Sequence, residues 1–363
     1  MELLRRLQEK VENILRTADV RINGARPSDI VIHDDRFYGA VLTRGALGLG
    51  ESYVEGWWDS ADLAQMFCKL LKAHIDRNVS AGWTLILAYL KATLSNRQGK
   101  PRAIQNARRH YDLGNDLYRT MLGRWMLYSS ANWQQATSLD EAAEAKLDFV
   151  CRRLGLQSGQ RILDIGCGWG GLAKYAAQKY NVEVVGITLS TEQAALAREI
   201  CSDLPVEIRY QAYRDLHEKF DHVASLGMFE HVGYKNYRRY MEIVHRCLKT
   251  NGLFFLNTIG TNHSEHCANP WTDRYIFPGG MLPSIAQIGA AVDGLFVIEE
   301  LQDWAESYDK TLISWFVKFN SNWNRLKSHY GEQFYRMWKY YLLSSAGAFR
   351  AKTIQDWHIV FSC

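Results

Sequence analysis

The residue types best suited to chemistry fall into a few short strings. In LDIGCGWGG (163–171), an acidic residue, Asp164, precedes a turn with glycines at 166, 168 and 170. Glycines at that spacing let the chain turn tightly and let a ligand lie against bare backbone. Between a buried strand and a helix, such a turn puts the ligand at the carboxyl end of the strands, where open α/β sheets bind. In GMFEHVG (227–233), Glu230 and His231 are adjacent. That pair can act as a general base. It can equally be a helix-start carboxylate with a capping histidine, and the residues alone leave both readings open. His263-Ser-Glu-His266-Cys267 has metal-ligand residue types, but it falls in a loop-like stretch and no metal is assigned to it.

Dinucleotide enzymes share a glycine turn of this kind. Three features point elsewhere. The turn lies mid-chain, Asp164 suits an amino or ammonium group, and the next strand ends in Gly186-Ile187-Thr188 with no carboxylate for a ribose diol. No GxxxxGK[ST] and no GxSxG occurs, which argues against nucleoside triphosphates and against a serine hydrolase. S-adenosylmethionine (SAM) is the expected ligand.

The elements around these strings alternate. A helix over 140–154 precedes strand 161–166, helix 172–180, strand 182–187 and a helix beginning near Ser190. Strands 206–211 and 220–227, a helix near 234–248 and strand 252–260 follow. Strands separated by helices predict a parallel sheet with helices on both faces. Upstream, residues 2–16 place Leu3, Leu4, Leu7, Val11, Ile14 and Leu15 on one helical face. Residues 20–60, punctuated by Asn23-Gly24, Gly45, Gly48 and Gly50, read as short strands and turns, followed by a helix from Leu63 to His74.

The 363 residues suggest two domains, and 47% hydrophobic with 23% charged residues is a globular composition. The seven cysteines form no CxxC pair and are odd in number, which fits free thiols in a reduced compartment. The first 20 residues are charged throughout, unlike a secretory signal, and the apolar run Trp83–Leu90 is too short to cross a bilayer. Residues 77–111 contain no acidic residue and seven Lys or Arg. They read either as a core helix with a solvated linker or as a surface for anionic lipid headgroups, at about 1 kcal/mol per basic residue. A net charge of +4 without a binding motif does not point to nucleic acid.

Further strings are more specific. LGLGESYVEGWW (47–58), HYDLGNDLY (110–118), LDIGCGWGG, ITLSTEQ (187–193), GMFEHVG, DRYIFPGGMLPS (273–284) and AGAFRAKTIQDWHIVFS (346–362) occur in this order. Together they resemble the cyclopropane-fatty-acyl-phospholipid synthases, within the mycolic acid cyclopropane synthase superfamily, over nearly the whole chain. The resemblance implies an α/β fold: a SAM-dependent methyltransferase with a Rossmann-like doubly wound sheet and a smaller N-terminal α+β domain. The expected division is 1–100 for a lipid-engaging domain and 101–363 for the methyltransferase domain with helices covering the lipid site. It also implies SAM as co-substrate and a bound bicarbonate ion as base. The expected partners are membrane phospholipids with unsaturated acyl chains, at an anionic membrane surface. A cytoplasmic protein held peripherally at the inner membrane, and a homodimer, are expected on the same ground. A short further tail beyond Cys363 is expected as well.

Residue by residue, the resemblance assigns Tyr128 and Ser129 to SAM. Gly166, Gly168 and Gly170 would hold its methionine and ribose portion, with Asp164 and Cys167 in the same string. Thr188 and Gln193 would meet the ribose side, with Leu189 and Ser190 between them. Glu230, the Ile259 backbone and the Tyr308 hydroxyl would hold bicarbonate. Trp271, Tyr275, Phe277, Trp315 and Phe316 could line a lipid channel or simply pack a core. Four positions depart from the pattern: Ser130 and Asn257 stand where a bicarbonate-site cysteine and histidine are expected, Ala212 where an acidic partner of adenine is expected, and Ser345 where a cysteine is expected. Ser130 and Asn257 still offer neutral donors, so weaker bicarbonate binding is expected. Ala212 removes one acceptor and predicts a weaker SAM site. Other outcomes remain: a related enzyme giving methylated or methylene lipids, one acting on another acceptor, or a degenerate chain that binds lipid or SAM without turnover.

Overall fold

A computed structural model describes residues 2–75 and 114–363. The basic stretch 77–111, the expected boundary near residue 100 and the start of HYDLGNDLY lie outside the described residues. The N-terminal elements are α1 (Glu2–Thr17), β1 (Val31–Ile32), α2 (Arg36–Val54), β2 (Trp58–Asp59) and α3 (Leu63–Lys72). Then come α4 (Asn115–Leu122), α5 (Leu139–Arg153), β3 (Arg161–Ile165), α6 (Gly171–Tyr180), β4 (Glu183–Thr188), α7 (Thr191–Ile200), β5 (Val206–Tyr210), β6 (His222–Leu226), α8 (Tyr237–Cys247) and β7 (Leu253–Thr261). The chain continues through α9 (Pro270–Tyr275), α10 (Ile285–Val292), β8 (Val297–Asp303), α11 (Ala305–Ser321), α12 (Trp323–Arg350) and β9 (Ile354–Ser362).

Seven strands form one sheet in the order β5-β4-β3-β6-β7-β9-β8. The pairs from β5 to β7 are parallel, whereas β9 runs antiparallel to both β7 and β8. Connections leave β3 toward β4 and β5, then cross back to β6 on its other side. The strand order therefore reverses between β3 and β6, which is where such sheets open a ligand crevice. The parallel strands are covered on both faces, and residues 162–165 and 184–188 are buried throughout. Side chains fix the helix starts. Ser138 and Glu141 form a capping box on α5, and the Ser190 hydroxyl accepts the Gln193 N–H at 3.2 Å on α7.

The expectation for residues 20–60 is corrected: most of 36–54 is helical, kinked at Gly45 (φ 53°). The glycines there are not all turn residues. A Cβ on Gly50 would collide with the Trp271 ring, so that glycine admits a close neighbour. Helices α1–α3 share one apolar core with α4, α11 and α12. Tyr53, Trp58 and Phe67 meet Tyr340 with ring centroids 5.2–6.5 Å apart. Arg336 ties the two parts by donating to Tyr53 O, Trp58 O and Asp59. Among the described residues, no helix is long and apolar enough to cross a membrane.

Candidate active site

One cavity opens at the carboxyl ends of β3, β4 and β6. Tyr128, Ser129, Asp164, Gly166, Cys167, Gly168, Thr188, Leu189 and Gln193 all line it. Gly170 and Ser190 instead cap the helices that start behind that wall. Gly166 adopts φ +82°, and a Cβ there would lie 2.6 Å from Met228 Cγ. A Cβ at Gly168 would meet nothing within 4 Å, so space beside its backbone is open to a ligand. The Thr188 hydroxyl donates to Gln193 Oε1 at 2.8 Å, fixing the far rim. Gln211, Tyr213 and Arg214 line the cavity around Ala212, which is itself buried and carries no polar group.

Burial sets the electrostatics of this wall. It pushes the Asp164 carboxyl up to about 7 and the His231 imidazole, also on the wall, down to about 4. Cys167 is pushed up by burial and stays a thiol. A buried carboxyl beside open glycine backbone fits the ammonium end of an amino-acid ligand such as SAM, whose charge favours the ionised form.

Behind the wall lies a network that the sequence reading missed. Lys146, on α5, is fully buried. Its ammonium donates to Ser129 Oγ and Ser130 Oγ, each at 3.1 Å, and to Asn257 Oδ1 at 2.7 Å. Asn257 passes the contact on: its Nδ2 donates to Asp356 Oδ1 at 2.7 Å and to the Trp357 carbonyl at 3.3 Å. Asp356 Oδ2 is 2.8 Å from His358 Nε2, and the His358 ring stacks on Trp304 with centroids 4.0 Å apart. Burial lowers Lys146 to about 8, with Asp356 and Glu230 opposing the shift, and lowers His358 to about 4. Burial alone would raise Asp356, but His358 and Lys146 outweigh it and hold the carboxyl below its usual range. Both ends of the Asn257 amide are thus engaged within the protein, the oxygen by Lys146 and the nitrogen by Asp356 and the Trp357 carbonyl.

Glu230 sits in a short turn, 229–231. Its Oε1 accepts the Ile259 N–H at 2.7 Å, and Oε2 is buried with no hydrogen-bond partner. Burial pushes this carboxyl up to about 7 against that bond. Tyr308, on α11, stacks on Phe349 at 4.5 Å and meets Trp315 edge-on. Trp315 in turn lies 5.2 Å from the Tyr128 ring, so aromatic faces run from the cavity wall to Tyr308. Trp271 and Trp315 are buried core residues, whereas Tyr275 is exposed and its hydroxyl donates to Glu51. Phe277 and Phe316 are half-buried. Ser345 is half-buried on α12, where the neighbouring Ser344 hydroxyl donates to the Tyr341 carbonyl.

Lys146 was findable. Leu139, Ala142, Ala143, Leu147 and Val150 form the buried stripe of α5, and Lys146 falls on it. Asp356 and His358 alternate on one face of β9, between Ile354 and Val360, which is the other trace the network leaves in the sequence.

Comparison with known proteins agrees with this geometry. Residues 98–359 match the mycolic acid cyclopropane synthetase family. The chain is 46% identical to the cyclopropane-fatty-acyl-phospholipid synthase of Escherichia coli K12, over 96% of this chain and 91% of that protein. The cyclopropane synthase MmaA2 from Mycobacterium tuberculosis superposes with a TM-score of 0.68 at 27% identity, covering 72% of this chain and 98% of the other. Mycolic acid cyclopropane synthase CmaA1, solved with SAH and CTAB, gives 0.68 at 30% identity over the same shares. The chain therefore belongs to the mycolic acid cyclopropane synthetase family of SAM-dependent methyltransferases.

Proposed function

We propose that the chain transfers a methylene group from SAM to the cis double bond of unsaturated acyl chains in membrane phospholipids, forming cyclopropane fatty acids. The observation that carries this reading is the extent of the likeness to the E. coli phospholipid enzyme, 96% of the chain. In the reaction, the alkene π electrons form a bond to the sulfonium methyl while the sulfur–carbon bond breaks. The resulting carbocation loses a proton from the transferred methyl, and that C–H electron pair closes the ring. An alkene is a poor nucleophile, so positioning must supply much of the rate. The cation also needs dry surroundings and aromatic faces, which favour a cation by about 0.5–2 kcal/mol each. The Tyr128–Trp315–Tyr308–Phe349 run suits that need.

Bicarbonate, when bound, would supply the base. The unpartnered Glu230 Oε2 fits an anion that carries its own O–H donor, with Ile259 holding the carboxylate in place. Ser130 and Tyr308 would add hydroxyls, and Asn257 would act only from behind Ser130. We further infer attachment to an anionic membrane surface through the basic stretch 77–111, on the cytoplasmic face of the inner membrane, with a homodimer as the assembly.

The test is mass spectrometry and NMR of phospholipid fatty acids after expression in cells lacking their own cyclopropane synthase. A gain of one CH2 on monounsaturated chains, with loss of olefinic signals and appearance of cyclopropane protons, is expected. The same gain with a retained or exocyclic alkene would replace ring closure by another collapse of the cation. No change in a folded, SAM-binding protein would overturn the proposed acceptor. Activity should rise with bicarbonate added to a depleted buffer; saturation at trace bicarbonate would refute weak binding at this site.

A further inference from the structure

Lys146 is the one fully buried lysine among the described residues, and the methyl-transfer chemistry does not call for it. All three of its protons have acceptors: Ser129, Ser130 and Asn257. It therefore cannot hold a ligand directly. What it can do is act through a serine. Ser130 is fully buried and lies 3.4 Å from His358 Nε2. Ser129 is different, because it forms part of the cavity wall.

We propose that Lys146 is a positioning residue for the co-substrate, acting through Ser129: the ammonium occupies the hydroxyl's lone pair and turns its hydrogen into the cavity, toward the carboxylate of the SAM amino-acid end. A hydroxyl that accepts from a cation becomes a stronger donor, and hydrogen bonds reinforced by charge exceed neutral ones. Asp164 lines the same cavity, so the wall offers a carboxylate for the ammonium and a polarised hydroxyl for the carboxylate of one zwitterion. Asn257 links the lysine to its counter-charge, Asp356, and keeps the ammonium charged despite its burial. The charged and titratable groups that face Lys146 are Asp356 and His358 on β9 and Glu230 in the 229–231 turn. This inference rests on SAM occupying the cavity, and the experiment separates the two.

Titration calorimetry with S-adenosylhomocysteine on the full chain tests it. The wild type, Ser129→Ala, Lys146→Met and the double variant form a cycle. Each single change is expected to weaken binding about tenfold or more, the loss of one charge-assisted hydrogen bond. The double variant is expected to be no more than about twofold worse than the weaker single, because both remove one interaction. Lys146→Met binding like the wild type, or effects that multiply in the double variant, would overturn the proposal. Should Lys146→Met fail to fold, the wild type and Ser129→Ala are compared from neutral to mildly alkaline pH. Their affinity ratio cancels the ligand's own titration. It is expected to shrink as pH rises past about 8, where Lys146 loses its proton. A ratio that does not change with pH overturns the proposal. A wild type that binds no S-adenosylhomocysteine at all overturns the co-substrate reading instead.

Discussion

Asn257 and His358 are register partners on antiparallel strands, and Asn257 Nδ2 lies 3.2 Å from His358 Nε2. The family pattern leads one to expect an imidazole at position 257. Here the imidazole comes from the next strand, and an amide takes the place between it and Lys146. Asp356 receives both, one on each carboxylate oxygen. The polar centre is thus a buried cation and a buried anion joined by one amide.

Removing that amide should be costly. Asn257→Leu removes the hydrogen-bonded link between the buried Lys146 and Asp356, and leaving such buried groups without a partner costs about 1–3 kcal/mol. Urea unfolding should show a lower midpoint with an unchanged slope. A loss below about 1 kcal/mol would mean that water or a repacked side chain replaces the bridge.

The Asp164 carboxyl, raised to about 7 by burial, predicts an acid limb in co-substrate affinity. The ionised form is the one that attracts an ammonium. Above about 7 the carboxylate is present and binding is strong. As pH falls below that value the group takes up a proton, and affinity should fall by up to about tenfold per pH unit. Calorimetry across this range in the wild type should show the limb, and Asp164→Asn should bind weakly with no limb.

Gly166→Ala should impair both folding and binding. The residue sits at φ +82°, and the added methyl would press into Met228 Cγ at 2.6 Å. Left-handed backbone and the clash together should cost about 1–3 kcal/mol. The expected readout is a lower unfolding midpoint with S-adenosylhomocysteine binding weakened further than at Gly159→Ala, an open glycine far from the cavity.

Ala212→Asp should tighten SAM binding about two- to tenfold, the worth of one hydrogen bond. Its neighbours Gln211, Tyr213 and Arg214 already line the cavity, so a carboxylate there gains a partner in the adenine amino group. Calorimetry that shows no gain would place that edge of the ligand elsewhere.

The sheet was legible because its strands are continuous buried runs cut by helices with good caps, such as Ser138 with Glu141. The glycine turn was legible because positive φ at 166, 168 and 170 strongly favours glycine. Helix α2 was not: Gly45, Gly48 and Gly50 look like loop punctuation, and only the packed structure reveals that Gly50 makes room for Trp271. Glu230 and Ile259 could be paired through family likeness, yet the bond between them joins residues 29 apart in the chain. Lys146 escaped notice for a related reason. Ser129 and Ser130 lie 16–17 residues before it, but Asn257 lies 111 residues after it, and periodicity reports which face a residue occupies, not what it meets there.

That separation bears on how the protein is made. Asn257 follows Lys146 by 111 residues, and Asp356 follows Asn257 by 99. Synthesis is vectorial, at about 5–20 residues per second, so the lysine leaves the ribosome many seconds before its counter-charge. Until β9 arrives, Lys146 on the apolar stripe of α5 lacks the anion that Asn257 links it to. β9 is the last strand in the chain yet lies between β7 and β8, so its insertion both completes the sheet and brings Asp356 to Asn257.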